Sequence, residues 1–123
     1  MNQKNSFAFI SGNKIYDLTD NLITQSKLAG YKPVKVEGVY KGEKESAAFL
    51  QNISFSNAWN LAHLYQQESF IWAGKNTKPV LYYTETGQTL VATDISISMS
   101  EPVNEDGYTH FPNTGEYVVI HFA

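Results

Sequence analysis

Alternation of apolar and polar residues predicts that most of this chain forms β-strands. In residues 89–99, one side carries Val91, Thr93, Ile95, Ile97 and Met99, and the other side is largely polar. A period of two is typical of a strand with one solvated face. Residues 116–122 are apolar on both faces and predict a central strand. Further strands are expected at residues 7–10, 14–18, 33–40, 45–51, 69–73 and 80–84.

Two segments instead show the periodicity of amphipathic helices. Ser54 is suited to cap a helix over residues 55–66, whose apolar positions fill one continuous arc: Phe55, Ala58, Trp59, Leu61, Ala62 and Tyr65. Thr19 is suited to cap an earlier helix over residues 19–29, and Gly30 to end it. We therefore predict a single α+β domain over residues 1–123, a mostly antiparallel sheet with both helices packed on one face. Residues 100–115, which carry Pro102 and Pro112, are predicted to form a loop.

The segment from Val34 to Gln51 predicts a hairpin with a definite register. A four-residue turn at residues 41–44 would set Tyr40 opposite Glu45 and Gly38 opposite Ala47, with their side chains on the apolar face. The small Gly38–Ala47 pair would leave a depression beside the phenol and the carboxylate. We expect a helix bearing Ala58 and Ala62 to fill this depression, and a ligand notch is the alternative.

Composition narrows the classes of function. The chain has 9 basic and 12 acidic residues, a net charge of −3, so nucleic-acid binding through phosphate contacts is disfavoured. With 0 cysteines it has no disulfide, no thiolate metal ligand and no cysteine nucleophile. The three histidines are scattered, so neither a metal site nor any other cofactor is predicted. No apolar stretch is long enough for a membrane span or a signal peptide, which predicts a cytoplasmic protein without membrane partners.

Several short motifs resemble a known family. They are Gly38-x-Tyr40, Glu45-Ser46-x-x-Phe49-Leu50, Leu61-Ala62 and Gln67-Glu68-Ser69-Phe70-Ile71-Trp72. Over residues 22–73 this pattern resembles the uncharacterised bacterial and phage family DUF3293. The resemblance implies the same α+β architecture and no particular reaction. It marks Tyr40, Glu45, Ser46, Gln67 and Trp72 as candidate ligand or partner-binding positions, to which the depression adds Gly38.

These observations favour a small non-enzymatic protein that acts by occupying a protein or small-molecule partner. No catalytic constellation can be assembled from the sequence, and the size and aromatic content are typical of phage regulators or inhibitors of host systems. The alternative is a small hydrolase or nucleotide-processing enzyme with Glu45 as acid/base, assisted by Tyr40, Gln67 or His63. A weak nucleic-acid binder would require its lysines on one surface, namely Lys27, Lys32, Lys35, Lys41 and Lys44.

Overall fold

A computed structural model describes residues 5–11 and 18–122. Within these residues the chain forms eight strands and two helices. In chain order they are β1 (Phe7–Ser11), α1 (Thr19–Leu28), β2 (Val34–Tyr40), β3 (Glu43–Gln51), α2 (Phe55–Leu64), β4 (Ser69–Ala73), β5 (Val80–Tyr83), β6 (Thr89–Ser98), β7 (Gly107–Phe111) and β8 (Glu116–Phe122). The strand expected at residues 14–18, and the turn before it, fall largely on residues 12–17, outside the described residues.

The strands form a closed antiparallel barrel in the order β1-β3-β2-β7-β8-β6-β5-β4. Closure results from β1, which pairs with β3 on one side and with β4 on the other. The predicted α+β sheet, with helices on one face, is therefore wrong: the sheet curls until its two edges meet. The segment predicted as a loop also contains β7, which joins β2 to β8 and completes the wall.

Closure creates one apolar layer inside the barrel and another outside it. The interior layer includes four phenylalanines, Phe7, Phe9, Phe49 and Phe111, whose ring centroids lie 5.0–5.9 Å apart in the contacting pairs. The outer layer lies where α1 packs on β2 and β3 and α2 packs on β1 and β4. Small side chains let the helices approach this outer surface closely: Ala8, Ala48, Ala58 and Ala62 are all fully buried. Ala58 and Ala62 thus pack outside the barrel, so the prediction that their helix fills a depression on the inner face of the hairpin is wrong. The Gly38–Ala47 pair that would form this depression is also absent, because Gly38 is paired with Glu45 and Ala47 with Val36.

Both helices lie where the sequence places them, although one of the two caps differs. Ser54 caps α2 as predicted, because its hydroxyl accepts a hydrogen bond from the Asn57 amide at 3.1 Å. The N-cap of α1 is Leu18 rather than Thr19. Thr19 is instead buried, and its hydroxyl donates to the Ser46 carbonyl at 3.2 Å, joining α1 to β3. Neither helix in the described residues is both long enough and apolar enough to cross a membrane.

A β-bulge in β6 changes the predicted alternation of that strand. The register with β8 shifts between Ala92 and Asp94, so the inward side passes from even-numbered to odd-numbered residues. Ala92 is buried and Val91 is 56% exposed, the reverse of the predicted assignment. Beyond the bulge the prediction holds, since Ile95 packs against the interior cluster.

Candidate ligand-binding cavity

The β2–β3 hairpin has a shorter turn than the sequence analysis predicts. Lys41 and Gly42 alone form it, with φ values of 50° and 81°, as a two-residue hairpin turn of mirror-image type requires. Tyr40 is therefore opposite Glu43, and Glu45 is opposite Gly38. The predicted register is wrong by two residues. Because side chains alternate with a period of two, this shift leaves the assignment of the two faces intact.

The inner face of this hairpin borders a cavity of about 980 Å³. Ile71 of β4 and Thr109 of β7 both line it, and these two strands lie opposite each other, four places apart in either direction around the closed barrel. The cavity therefore extends across the barrel interior. The interior of an eight-stranded barrel can be filled completely by side chains or can hold one small ligand.

The cavity exists because the inward side chains are unevenly distributed along the barrel. The four phenylalanines fill the end away from the β2–β3 turn. Near that turn, β2 and β7 present the paired residues Gly38 and Thr109 to the interior. Both residues are too small to fill the centre of the barrel. Glu43 and Glu45 complete this end of the lining and are both exposed to solvent. We call this the open end of the barrel.

The lining combines an apolar interior with a polar mouth. Ile71, Val118 and Ile120 supply the apolar wall. Around the mouth lie Glu43, Glu45 and the loop residues Asn104, Glu105 and Asp106. The loop is fastened to the hairpin, because the Lys41 amide donates to the Asp106 carbonyl at 2.6 Å. A concave site with apolar side chains inside and a few polar groups at its entrance is the usual form of a small-molecule site.

Four of the six residues singled out from the sequence lie at this cavity: Gly38, Tyr40, Glu45 and Ser46. Tyr40 is 63% exposed at the mouth, and the Lys41 ammonium lies 5.4 Å from the centroid of its ring. The Glu45 carboxylate has no hydrogen-bond partner or ion pair in residues 5–11 and 18–122, so the Tyr40 phenol does not bond to it. Ser46 belongs to the wall, but it pairs with Glu37 on the outer face.

Gln67 and Trp72 lie away from the cavity and serve the fold. Gln67 is buried after α2, and its side-chain amide donates to the Tyr65 carbonyl at 3.3 Å. The backbone carbonyl of Gln67 accepts a hydrogen bond from the Thr84 hydroxyl. The Trp72 indole N–H donates to the Ile53 carbonyl at 2.9 Å, joining β4 to the segment before α2. The motif residues marked by the family resemblance therefore fall into two groups. Tyr40, Glu45 and Ser46 lie at the cavity, whereas Gln67 and Trp72 make contacts that stabilise the fold.

Sequence reasoning missed the β7 and β8 side of the cavity, in particular Thr109, Val118 and Ile120. Thr109 lies in the segment predicted as a loop because of its prolines and acidic residues. A short strand signal is nevertheless present there: the run from Gly107 to Phe111 is rich in aromatic and β-branched residues, and Pro112 follows it.

Outside the barrel, an aromatic cluster on β7 and β8 holds the loop beside the cavity. The Tyr108 ring packs edge-on to Tyr117 at 5.7 Å, and His110 stacks on Tyr117 at 4.5 Å. The Tyr108 hydroxyl donates to the Glu101 carboxylate at 2.7 Å. This hydrogen bond, with lesser contributions from desolvation and nearby negative charge, raises the pKa of Tyr108 to about 12.

Replacing Glu101 with glutamine is expected to bring the pKa of Tyr108 down from about 12 towards its ordinary value of about 10. The neutral phenol is the donor, so the interaction stabilises the fold below about pH 10 and is lost as the pH rises through about 12. A pH titration of ¹³C-labelled tyrosine by NMR measures this shift. Glu105→Gln, in the same loop, should leave the pKa of Tyr108 unchanged. An equal shift in both variants would contradict the assignment.

The other polar clusters in the described residues are weaker candidates for a functional site than the cavity is. No group of three or more histidine or acidic side chains in the described ranges could hold a metal ion. His121 Nε2 lies 3.0 Å from the Ser96 hydroxyl on the outer face, and Asp94, which pairs with His121, uses its carboxylate to accept the Ile95 amide. Two of the lysines that a nucleic-acid binder would require on one surface are in ion pairs: Lys35 is bonded to Asp20 at 2.9 Å, and Lys44 lies 3.8 Å from Glu37.

Comparison with known proteins adds no family to these observations: no family model matches the chain, and no curated protein sequence matches it. The resemblance over residues 22–73 therefore stays a prediction. The case for function depends on the cavity alone.

Proposed function

We propose that this protein binds a small, largely apolar molecule in the cavity at the open end of its barrel. The observation that carries the proposal is a hollow of about 980 Å³ walled by Ile71, Val118 and Ile120. Its volume lies at the upper end of the range typical of ligand sites. Buried apolar surface of the ligand would contribute about 25 cal/mol for each Å² removed from water.

The arrangement of polar groups favours binding over catalysis. A general acid or base must lie within hydrogen-bond reach of its partners or of a bound substrate, and burial usually tunes its pKa. Glu45 is exposed, and Gln67, which was expected to assist it, is bonded beside α2. His63 is also engaged elsewhere, since its Nδ1 lies 2.9 Å from the Trp59 carbonyl. Within the part of the chain that the structure describes, the acid/base alternative therefore has no assembled set of groups at the cavity.

Titration with a neutral apolar fluorophore, N-phenyl-1-naphthylamine, tests the proposal. The wild-type protein is expected to enhance its fluorescence saturably, with one molecule bound per chain. Thr109→Trp should raise the Kd at least about tenfold, or about 1.4 kcal/mol, because the indole would occupy the space opposite Gly38. Thr24→Trp, at an exposed position of α1, adds the same group outside the barrel and should bind as the wild type does.

Thermal unfolding accompanies the titration to show that both variants are folded. If Thr109→Trp loses its cooperative transition, the smaller Thr109→Phe replaces it. Saturable binding that is equal in the wild type, the cavity variant and the Thr24→Trp control would place the fluorophore elsewhere on the surface and overturn the proposal.

A further inference from the structure

We infer that the ligand of the cavity is an amphiphilic amine, with its apolar part inside the barrel and its ammonium group at Glu45. This inference depends on the proposed function and specifies the class of ligand. It follows from the position of one carboxylate at the cavity and from the absence of a cation beside it in the described residues.

The β-strand geometry places Glu45 where a ligand head group would lie. Glu45 shares the inward side of β3 with Ala47 and Phe49, both of which pack in the interior cluster. At about 3.3 Å per residue, Glu45 lies about 13 Å along β3 from Phe49, which belongs to the phenylalanine cluster that fills the far end. The residue paired with Glu45 on β2 is Gly38, so no side chain from that position covers the carboxylate. A ligand chain directed towards Phe49 would therefore leave its head group beside Glu45.

The charges of the lining favour a cationic head group. Glu43, Glu45, Glu105 and Asp106 all lie around the mouth. Lys44 is the one lysine among the described lining residues, and its ammonium lies on the outer side of the hairpin, 3.8 Å from Glu37. Lys41 extends over the ring of Tyr40. An anion entering the cavity would thus be repelled by these carboxylates, whereas an ammonium group would be attracted.

The inner wall excludes a fully polar cation. Ile71, Val118 and Ile120 offer no hydrogen-bond partner from their side chains, so an inorganic cation or a small polyamine lying against them would lose hydration that this part of the wall does not replace. Only a molecule with one charged end and an apolar remainder satisfies both parts of the cavity.

Three straight-chain competitors that differ only in the head group test this inference: octylammonium, octanol and octanoate. Each is titrated against N-phenyl-1-naphthylamine bound to the wild-type protein at neutral pH and low salt, and its displacement of the fluorophore is measured. Because the mouth is exposed, its ion pairs are weak, and we expect octylammonium to bind about fivefold more tightly than octanol, with octanoate weaker than octanol. Raising the salt concentration should reduce both differences.

Glu45→Gln should weaken octylammonium binding about threefold, as the loss of one exposed ion pair implies, and leave octanol binding unchanged. Glu85→Gln makes the same change of charge in the exposed β5–β6 turn, outside the cavity, and should alter neither. Equal affinities for all three competitors would overturn the amine assignment while the binding function stands. If neither the fluorophore nor any competitor binds, both proposals fall.

Discussion

Replacing Phe49 with alanine is expected to lower the free energy of unfolding by about 3–5 kcal/mol, the usual cost of removing a buried aromatic side chain. Phe49 is 4% exposed, and its ring contacts three others, with centroids 5.0 Å from Phe9 and Phe111 and 5.7 Å from Phe7. Phe7 and Phe9 lie on the neighbouring strand β1, and Phe111 lies on β7, two strands away on the other side of β3. The substitution would therefore remove packing that several strands share.

Denaturant unfolding followed by circular dichroism measures this loss. A domain of this size has a total stability of about 5–15 kcal/mol, so the variant could be largely unfolded at moderate temperature. Phe49→Leu retains most of the volume and should lose less, about 1–1.5 kcal/mol. Leu64→Ala, at a position 68% exposed, should change stability by no more than about 0.5 kcal/mol. A loss below about 1 kcal/mol for Phe49→Ala would contradict the close-packed interior.

Replacing Trp72 with alanine is expected to cost about 3 kcal/mol, towards the lower end for tryptophan because the ring is only half-buried. The indole packs against Phe55 with centroids 5.6 Å apart, and its N–H donates to the Ile53 carbonyl. That carbonyl also accepts the Ser6 hydroxyl at 2.8 Å, so it keeps one partner when the indole is removed.

Trp72→Phe separates the contribution of ring packing from that of the hydrogen bond, because it keeps an aromatic ring on β4 and removes the N–H donor. The free energy of unfolding should fall by about 1 kcal/mol, the net value of one hydrogen bond. The affinity for N-phenyl-1-naphthylamine should not change, since Trp72 points to the outer surface under α2 and does not line the cavity. A loss of binding in folded Trp72→Phe would return Trp72 to the ligand site and refute its structural role.

The candidate site was only partly accessible from sequence. The small residue Gly38 and the acid Glu45 on the apolar side of a hairpin pointed to the correct face, because alternation survives a register error of two residues. Their alignment was not accessible, since it depends on Lys41 adopting a positive φ beside Gly42. A lysine is an uncommon first residue of such a turn, so a longer turn was the natural prediction.

Trp72 and Gln67 illustrate a different limit. An aromatic residue or a buried amide near a helix end is compatible with a ligand contact or with a packing role, and the sequence does not distinguish them. Their hydrogen bonds to Ile53 and Tyr65 decide for packing. Trp72 and Ile53 are close in space because α2 folds back onto β1 and β4, whereas Gln67 and Tyr65 are neighbours in the chain after α2.

The order of residues alone determined the local features: both helices, the Ser54 cap, most of the strands and the two faces of the β2–β3 hairpin. These features depend on periodicity, propensity and capping within a few neighbouring residues. Tertiary structure decided that β1 meets β4 and that β7 joins the wall between β2 and β8. Strand partners and closure depend on the accumulated twist of many strands and on contacts between distant residues. The cavity exists only through that closure, because Gly38, Thr109 and Ile71 enclose a space only when their strands surround it.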